Sequence, residues 1–121
     1  MTYMSKSILN KCEEEYPNIE IYSHTYSLHE KGDVNQDIEY ISDDFNLFND
    51  RIKKVEYLAY PFGDYSDAIK QVLKENNFKL AFTFRDNKKA TRKDDDYAIN
   101  RINVSTDKPL YKFALRLLLP Y

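Results

Sequence analysis

"VEYLAYPFG", residues 55–63, is the stretch on which the reading of this chain turns. Tyr57 to Tyr60 form a short apolar run, and Pro61 and Gly63 close it, which predicts a buried strand running into a turn. On its N-terminal side, Ile41, Phe45, Phe48, Ile52 and Val55 are spaced by four, three, four and three, a narrow apolar stripe that predicts an amphipathic helix between Asp37 and Val55. On its C-terminal side, "SDAIKQVLKENNF" returns to helical spacing. Ser66 stands as N-cap, Ala68, Ile69, Val72 and Leu73 point inward, and Asn76-Asn77 mark the exit. A buried strand between two amphipathic helices is the repeating unit of an α/β domain.

The same pattern extends both ways. "KLAFTF" at 79–84 reads as a strand from its aromatic and β-branched content, and "INRINV" at 99–104 as a further short one. "RDNKKATRKDDDYA" between them is a polar excursion whose charge run, Arg92 to Asp96, reads as a solvated loop. Toward the start, "NIEIYSHTYS" at 18–27 alternates Ile19, Ile21 and Ser23 against Glu20, Tyr22 and His24, which predicts a strand ending near His24. Before it, Ile8, Leu9 and Cys12 recur at helical spacing from a Ser5 cap to the Pro17 stop. "DKPLYKFALRLLL" closes the chain as a helix with Asp107 near its start and a nearly continuous apolar end. Strands alternating with helices predict a parallel sheet, whose active residues gather at the carboxyl ends of the strands. His24 and Pro61-Phe62-Gly63 both fall there.

The totals narrow the function. The chain's 121 residues have room for one domain, 1–121. A formal charge of -2, from 18 basic and 20 acidic side chains well mixed along the chain, provides no broad basic field for a nucleic-acid backbone. No stretch approaches the roughly 20 apolar residues of a membrane span, and "MTYMSKSILNKCEEE" is too polar for a secretory signal. Cys12 is the single cysteine, so there is no disulfide framework. Eleven Tyr and seven Phe suit a compact core, and equally a carbohydrate-facing surface where flat rings cover sugar C–H faces.

The two histidines, His24 and His29, stand five positions apart. On a helix this spacing points them to different faces, but a strand end followed by a turn lets both rings converge on one ion. Neutral imidazole is a common nitrogen ligand for Zn2+, so the pair is either a metal site or two neighbouring surface histidines. Glu30 and Asp33 are the nearby acids able to add a third ligand, although acids beside a turn are ordinarily solvated.

"SHTYSLH", residues 23–29, resembles the metal-binding motif of the polysaccharide deacetylases, the NodB-homology or carbohydrate esterase family 4. "LAYPFGDYS" resembles the Pro-containing third motif of that family in the form of its poly-N-acetylglucosamine deacetylase branch. "LAFTF", with the later "DYAINRINV", is similar to the family's late strands, where an Arg in an R-I-x-V setting recurs, here Arg101. Together the matches run from about residue 18 to 104.

The resemblance implies a distorted (β/α) barrel, a divalent metal such as zinc, and hydrolysis of N-acetyl or O-acetyl groups on a glycan. Carried over by position, His24 and His29 are the metal ligands, Thr25 is a supporting hydroxyl and Arg101 a supporting cation. Tyr60, Pro61, Phe62 and Gly63 form a groove wall whose amide near Phe62 faces an oxyanion. A metal polarises the acetyl carbonyl and acidifies a bound water, while main-chain N–H groups stabilise the tetrahedral intermediate.

The family's first motif, a T-F-D-D-like strand end carrying the Asp metal ligand and the Asp base, has no counterpart in the 23 residues before His24. "SDDF" at 42–45 has similar letters but reads as the start of a helix with acidic residues in its first turn. The Arg that opens the third motif is replaced by Ala59, and no third histidine exists. The chain therefore reads as a partial (β/α) barrel of the deacetylase type with its first strands missing, since such barrels take about 200 residues or more. The expectations are a metal-dependent deacetylase impaired in this isolated chain, or a non-catalytic carbohydrate-binding or scaffold relative; a bland alternative is an unrelated small α/β domain. Open sheet edges and the leucine-rich final helix predict a homodimer or an upstream domain that completes the barrel.

Overall fold

The computed structural model describes residues 4–28 and 38–119. His29, Glu30 and Asp33 lie outside them. The helices are α1 (Lys6–Glu15), α2 (Ile38–Arg51), α3 (Asp67–Glu75) and α4 (Leu110–Leu118), and the strands are β1 (Tyr57–Ala59), β2 (Leu80–Thr83) and β3 (Ile99–Asn100). The three strands form an open parallel sheet in the order β1-β2-β3, with Leu58 opposite Ala81 and Phe82 opposite Ile99.

β1 forms where the apolar run of 57–60 predicts it, and alternation assigns its faces. Leu58 is buried with Ala81 and Thr83, whereas Tyr57, Ala59, Leu80 and Phe82 are half-buried on the opposite face. The buried face joins one core with Ile41, Phe45 and Phe48 of α2 and Ile69, Val72 and Leu73 of α3. Each such fully buried side chain contributes roughly 1.5–3 kcal/mol over leaving it in water. Phe78 joins this core, its ring 5.3 Å from that of Phe45.

The caps follow the sequence. Ser66 accepts the Ile69 amide at 3.3 Å, and Ser5 accepts the Ile8 amide at 3.4 Å. Asn77, at φ 60, ends α3 in the left-handed region that Asn tolerates, and the Phe78 amide reaches back to the Leu73 carbonyl at 2.9 Å.

Two expectations are corrected. The predicted strand at 18–27 is reduced to a single parallel bridge, Ser23 with Leu58. Alternation reports which way side chains face but not whether a neighbour pairs with the backbone, and here only the Ser23 amide and carbonyl find one, at Tyr57 and Ala59. "SDDF" lies in the middle of α2 and does not begin a helix. Residues 92–96 form the expected solvated loop, anchored at two points: Asp94 accepts the Asn100 amide at 2.9 Å, and Asp95 takes Lys70 Nζ at 2.7 Å and the Tyr97 amide at 2.8 Å. These bonds fasten a crossover that has no helix. They also hold both carboxyls below the usual Asp range, Asp94 chiefly through the Asn100 amide and Asp95 chiefly through Lys70.

α1 and α4 bury no residue. α1 is held through Glu13, which accepts the Ile21 amide at 3.1 Å and pairs with Lys53. α4 is held through Arg116, whose Nη1 donates to Asn87 Oδ1 at 2.6 Å and to the Asn103 carbonyl at 3.3 Å.

Candidate functional site

The carboxyl ends of the Ser23 bridge and of β1 lie side by side, because Ser23 pairs with Leu58 in parallel. His24 follows Ser23 directly, and its Nδ1 lies 2.7 Å from the Ala59 carbonyl. A carbonyl can only accept, so Nδ1 carries the proton and the lone pair of the neutral ring belongs to Nε2. A ring nitrogen fixed by a backbone carbonyl is the usual support of a metal-ligating histidine. The bond also joins the two stretches that the sequence singled out separately, 23–29 and 58–66.

Past His24 the chain turns sharply. Thr25 has φ 71, a conformation that costs a β-branched residue of order 1–3 kcal/mol, and its amide is held by Ser23 Oγ at 3.0 Å. Thr25 Oγ1 is buried with no partner among the described residues. Asp44 then fixes the next two residues, accepting the Tyr26 amide at 2.7 Å, the Ser27 amide at 2.6 Å and the Ser27 hydroxyl at 2.8 Å. Asp44 is 3% exposed. Sequence reasoning missed this role, although the signal was present: position 44 falls inside the apolar stripe of Ile41, Phe45 and Phe48, where a carboxyl must find donors.

After β1, residues Pro61–Gly63 form one 3-10 turn, closed by the Gly63 amide on the Tyr60 carbonyl and the Asp64 amide on the Pro61 carbonyl, both at 3.0 Å. Phe62 stands at φ 56 with its side chain 57% exposed, so the turn presents an aromatic ring at the strand end. Tyr60, Pro61 and Gly63 are buried. Tyr60 faces the core and donates its hydroxyl to the Tyr97 carbonyl at 2.8 Å; burial first, and Asp95 second, push its pKa up. Of the four wall residues read from sequence, Phe62 is the one whose side chain is exposed. Gly63 is required here, since at φ 69 a Cβ would meet the Phe84 backbone nitrogen at 2.9 Å. Thr83 Oγ1 donates to the Gly63 carbonyl and accepts the Arg85 amide at 3.0 Å, locking the turn to the end of β2.

Beside this end lies a shallow cavity of about 490 Å3 lined by Glu20, Tyr22, Tyr57, Ala59, Phe82 and Arg101. Arg101 follows β3, its guanidinium 5.7 Å from the Phe84 ring centre. Its Nε is buried with no partner among the described residues, and burial pushes its pKa down. The Tyr22 hydroxyl donates to Glu20, which raises the Tyr22 pKa to about 12. Ala59 and Arg101 thus connect the His24 end of the sheet to the half-buried face.

No group of three His, Cys, Asp or Glu converges among the described residues. The described residues therefore do not by themselves supply the three ligands of a catalytic zinc centre. No helix among them is long and apolar enough to cross a membrane.

The fold is shared with solved deacetylases. A de-N-acetylase from Aggregatibacter actinomycetemcomitans superposes with a TM-score of 0.72 at 17% identity, over 93% of this chain and 52% of that one. The Streptococcus pyogenes deacetylase PplD, solved in complex with acetate, superposes with a TM-score of 0.54 at 19% identity, over 69% of this chain and 38% of that one. The chain spans about half the length of the first and under half that of the second. No protein-family model matches the chain, and no curated protein matches it by sequence. The three parallel strands and their helices correspond to part of a deacetylase (β/α) barrel.

Proposed function

We propose that this chain is the later part of a metal-dependent polysaccharide deacetylase-type domain, 1–121, with acetylated glycan as its ligand and His24 and His29 as its metal ligands. What carries the reading is the 2.7 Å bond from His24 Nδ1 to the Ala59 carbonyl, inside a fold shared with a de-N-acetylase. That bond orients the imidazole and selects its tautomer, as a ligating histidine requires. A bound zinc would supply Lewis acidity toward an acetyl carbonyl. The chain's own residues do the positioning: Asp44 and the Thr25 turn set the direction of the segment that leads to His29, the Phe62 ring offers a flat apolar surface for a sugar face, and Arg101 is a supporting cation on the neighbouring cavity. The amide near Phe62 is the oxyanion donor in this reading.

Among the described residues no carboxylate is placed as a base beside His24, and a positioned base typically contributes about 10²–10⁴ in rate. Hydrolysis by the isolated chain is accordingly very slow or nil. A non-catalytic glycan-binding relative is the second reading, favoured by the single described ligand beside an exposed aromatic ring. Acetate release from an acetylated chitooligosaccharide, with zinc present, tests that impairment. Release at an ordinary hydrolase rate that His29→Ala abolishes would contradict the impaired reading, whereas binding of the oligosaccharide without release supports it.

The half-buried sheet face and the exposed leucines of α4 are covered, in this proposal, by a second copy or by a segment that completes the barrel. Light scattering over a concentration series is the check. A 14.4 kDa monomer at every concentration, with no uptake of an apolar-surface dye, would count against it.

A further inference from the structure

A second concave site lies away from His24, between the segment after β3 and α4. It has a volume of about 300 Å3, and its lining includes Asn103, Ser105, Lys108, Lys112, Phe113 and Arg116. Lys112 and Arg116 are four apart on α4 and so share one side of the helix, while Lys108 joins them from two residues ahead of its start.

None of these three cations pairs with a carboxylate among the described residues. Elsewhere six cations, Lys70 and Arg85 among them, have an acidic partner, while others such as Lys54 and Lys93 have none among the described residues, so what sets these three apart is that they line one cavity. Lys108 and Lys112 are exposed, so water and salt screen the three like charges, and together they set up a local field that attracts an anion. The nearest acid in sequence, Asp107, accepts the Ser105 hydroxyl instead.

The cavity is also held in shape. Arg116 Nη1 is fixed by Asn87 and the Asn103 carbonyl, and the Asn103 amide donates to Asn87 Oδ1 at 2.9 Å. The rest of the guanidinium fork keeps its donors for another acceptor, and such a fork suits the oxygens of a phosphate or carboxylate. Phe113, Val104 and Leu115 add apolar surface next to the cations.

We propose that this cavity is a binding site for an oxyanion, a phosphate or carboxylate carried on an organic body, with Lys108, Lys112 and Arg116 as its cationic wall. The site does not depend on the deacetylase reading, since none of its residues belongs to the His24 end.

The test is an amide NMR titration of the full chain with glucose 6-phosphate, glucuronate and glucose. The expected result is saturable shifts confined to 103–105 and 108–116 with one or both anions and none with glucose. Binding should weaken at least tenfold in Lys108→Ala/Lys112→Ala, two exposed positions whose loss leaves the thermal transition in place. It should be unchanged in the charge-matched control Lys54→Ala/Lys93→Ala, and weaker at higher salt. The anion that binds more tightly identifies the group as phosphate or carboxylate. Absence of saturable shifts with both anions, equal shifts with glucose, full affinity in the Lys108/Lys112 variant, or equal loss in the control would each overturn the proposal.

Discussion

Helices α3 and α4 are both nine residues long and both amphipathic, yet α3 buries Ile69, Val72 and Leu73 while α4 buries nothing. Leu110 and Leu118 of α4 are 78% and 79% exposed. An apolar stripe states that a helix has a face to cover; it does not state what covers it. α3 meets its cover because it connects two adjacent parallel strands and must lie on their sheet, whereas α4 follows the last strand with no such constraint.

The contrast can be broken first where it is deepest. Leu73→Ala removes a fully buried side chain from the α3 face and should cost about 2–5 kcal/mol, whereas Leu118→Ala should stay within about 0.5 kcal/mol. Denaturant unfolding of both variants checks this, and equal losses would mean that α4 is packed after all. Next comes the turn that follows His24. Asp44→Ala leaves the part-buried Tyr26 and Ser27 amides without their acceptor, at about 1–3 kcal/mol in all, since water can reach them in part. The same unfolding assay, with hydrogen exchange at those two amides, should show the loss as local opening beside His24. Gly63→Ala follows, at more than about 1 kcal/mol, because the positive φ and the approach to Phe84 both oppose a side chain.

The smallest effect is acidic. Asp94 and Asp95 have lowered pKa values in the folded chain, so the stability they contribute is fully present above the unfolded Asp value of about 3.9. It is lost as pH falls from there through their folded values. Melting temperature should therefore decline in that window, and Asp95→Asn should lower the neutral-pH melting temperature slightly and flatten the acid decline.

How much was legible follows from which interactions are local. The 41–55 stripe, the Ser66 cap and the 57–63 strand-turn were readable because spacing and Pro-Gly chemistry are encoded within a few residues. The strand expected to end near His24 was not, because in that stretch only Ser23 finds a pairing backbone neighbour, and that neighbour is distant in sequence. Asp44 was misread for a related reason: its partners, Tyr26 and Ser27, lie 18 and 17 residues away in sequence. At the candidate site the residue types were readable, but the contact of His24 with Ala59, 35 positions apart, was not. The resemblance put Tyr60 on a groove wall, whereas the apolar run of 57–60 already implied the burial that is found.

The central claim is that His24 is oriented by the β1 end to ligate an ion, and imidazole nitrogen NMR tests it most directly. In the metal-free chain at about pH 8, where an ordinary histidine is neutral, His24 should show its proton on Nδ1. Added zinc should then shift the His24 Nε2 resonance, and His29→Ala should weaken that response. A proton on Nε2, or an Nε2 resonance that zinc leaves unmoved, would contradict the account.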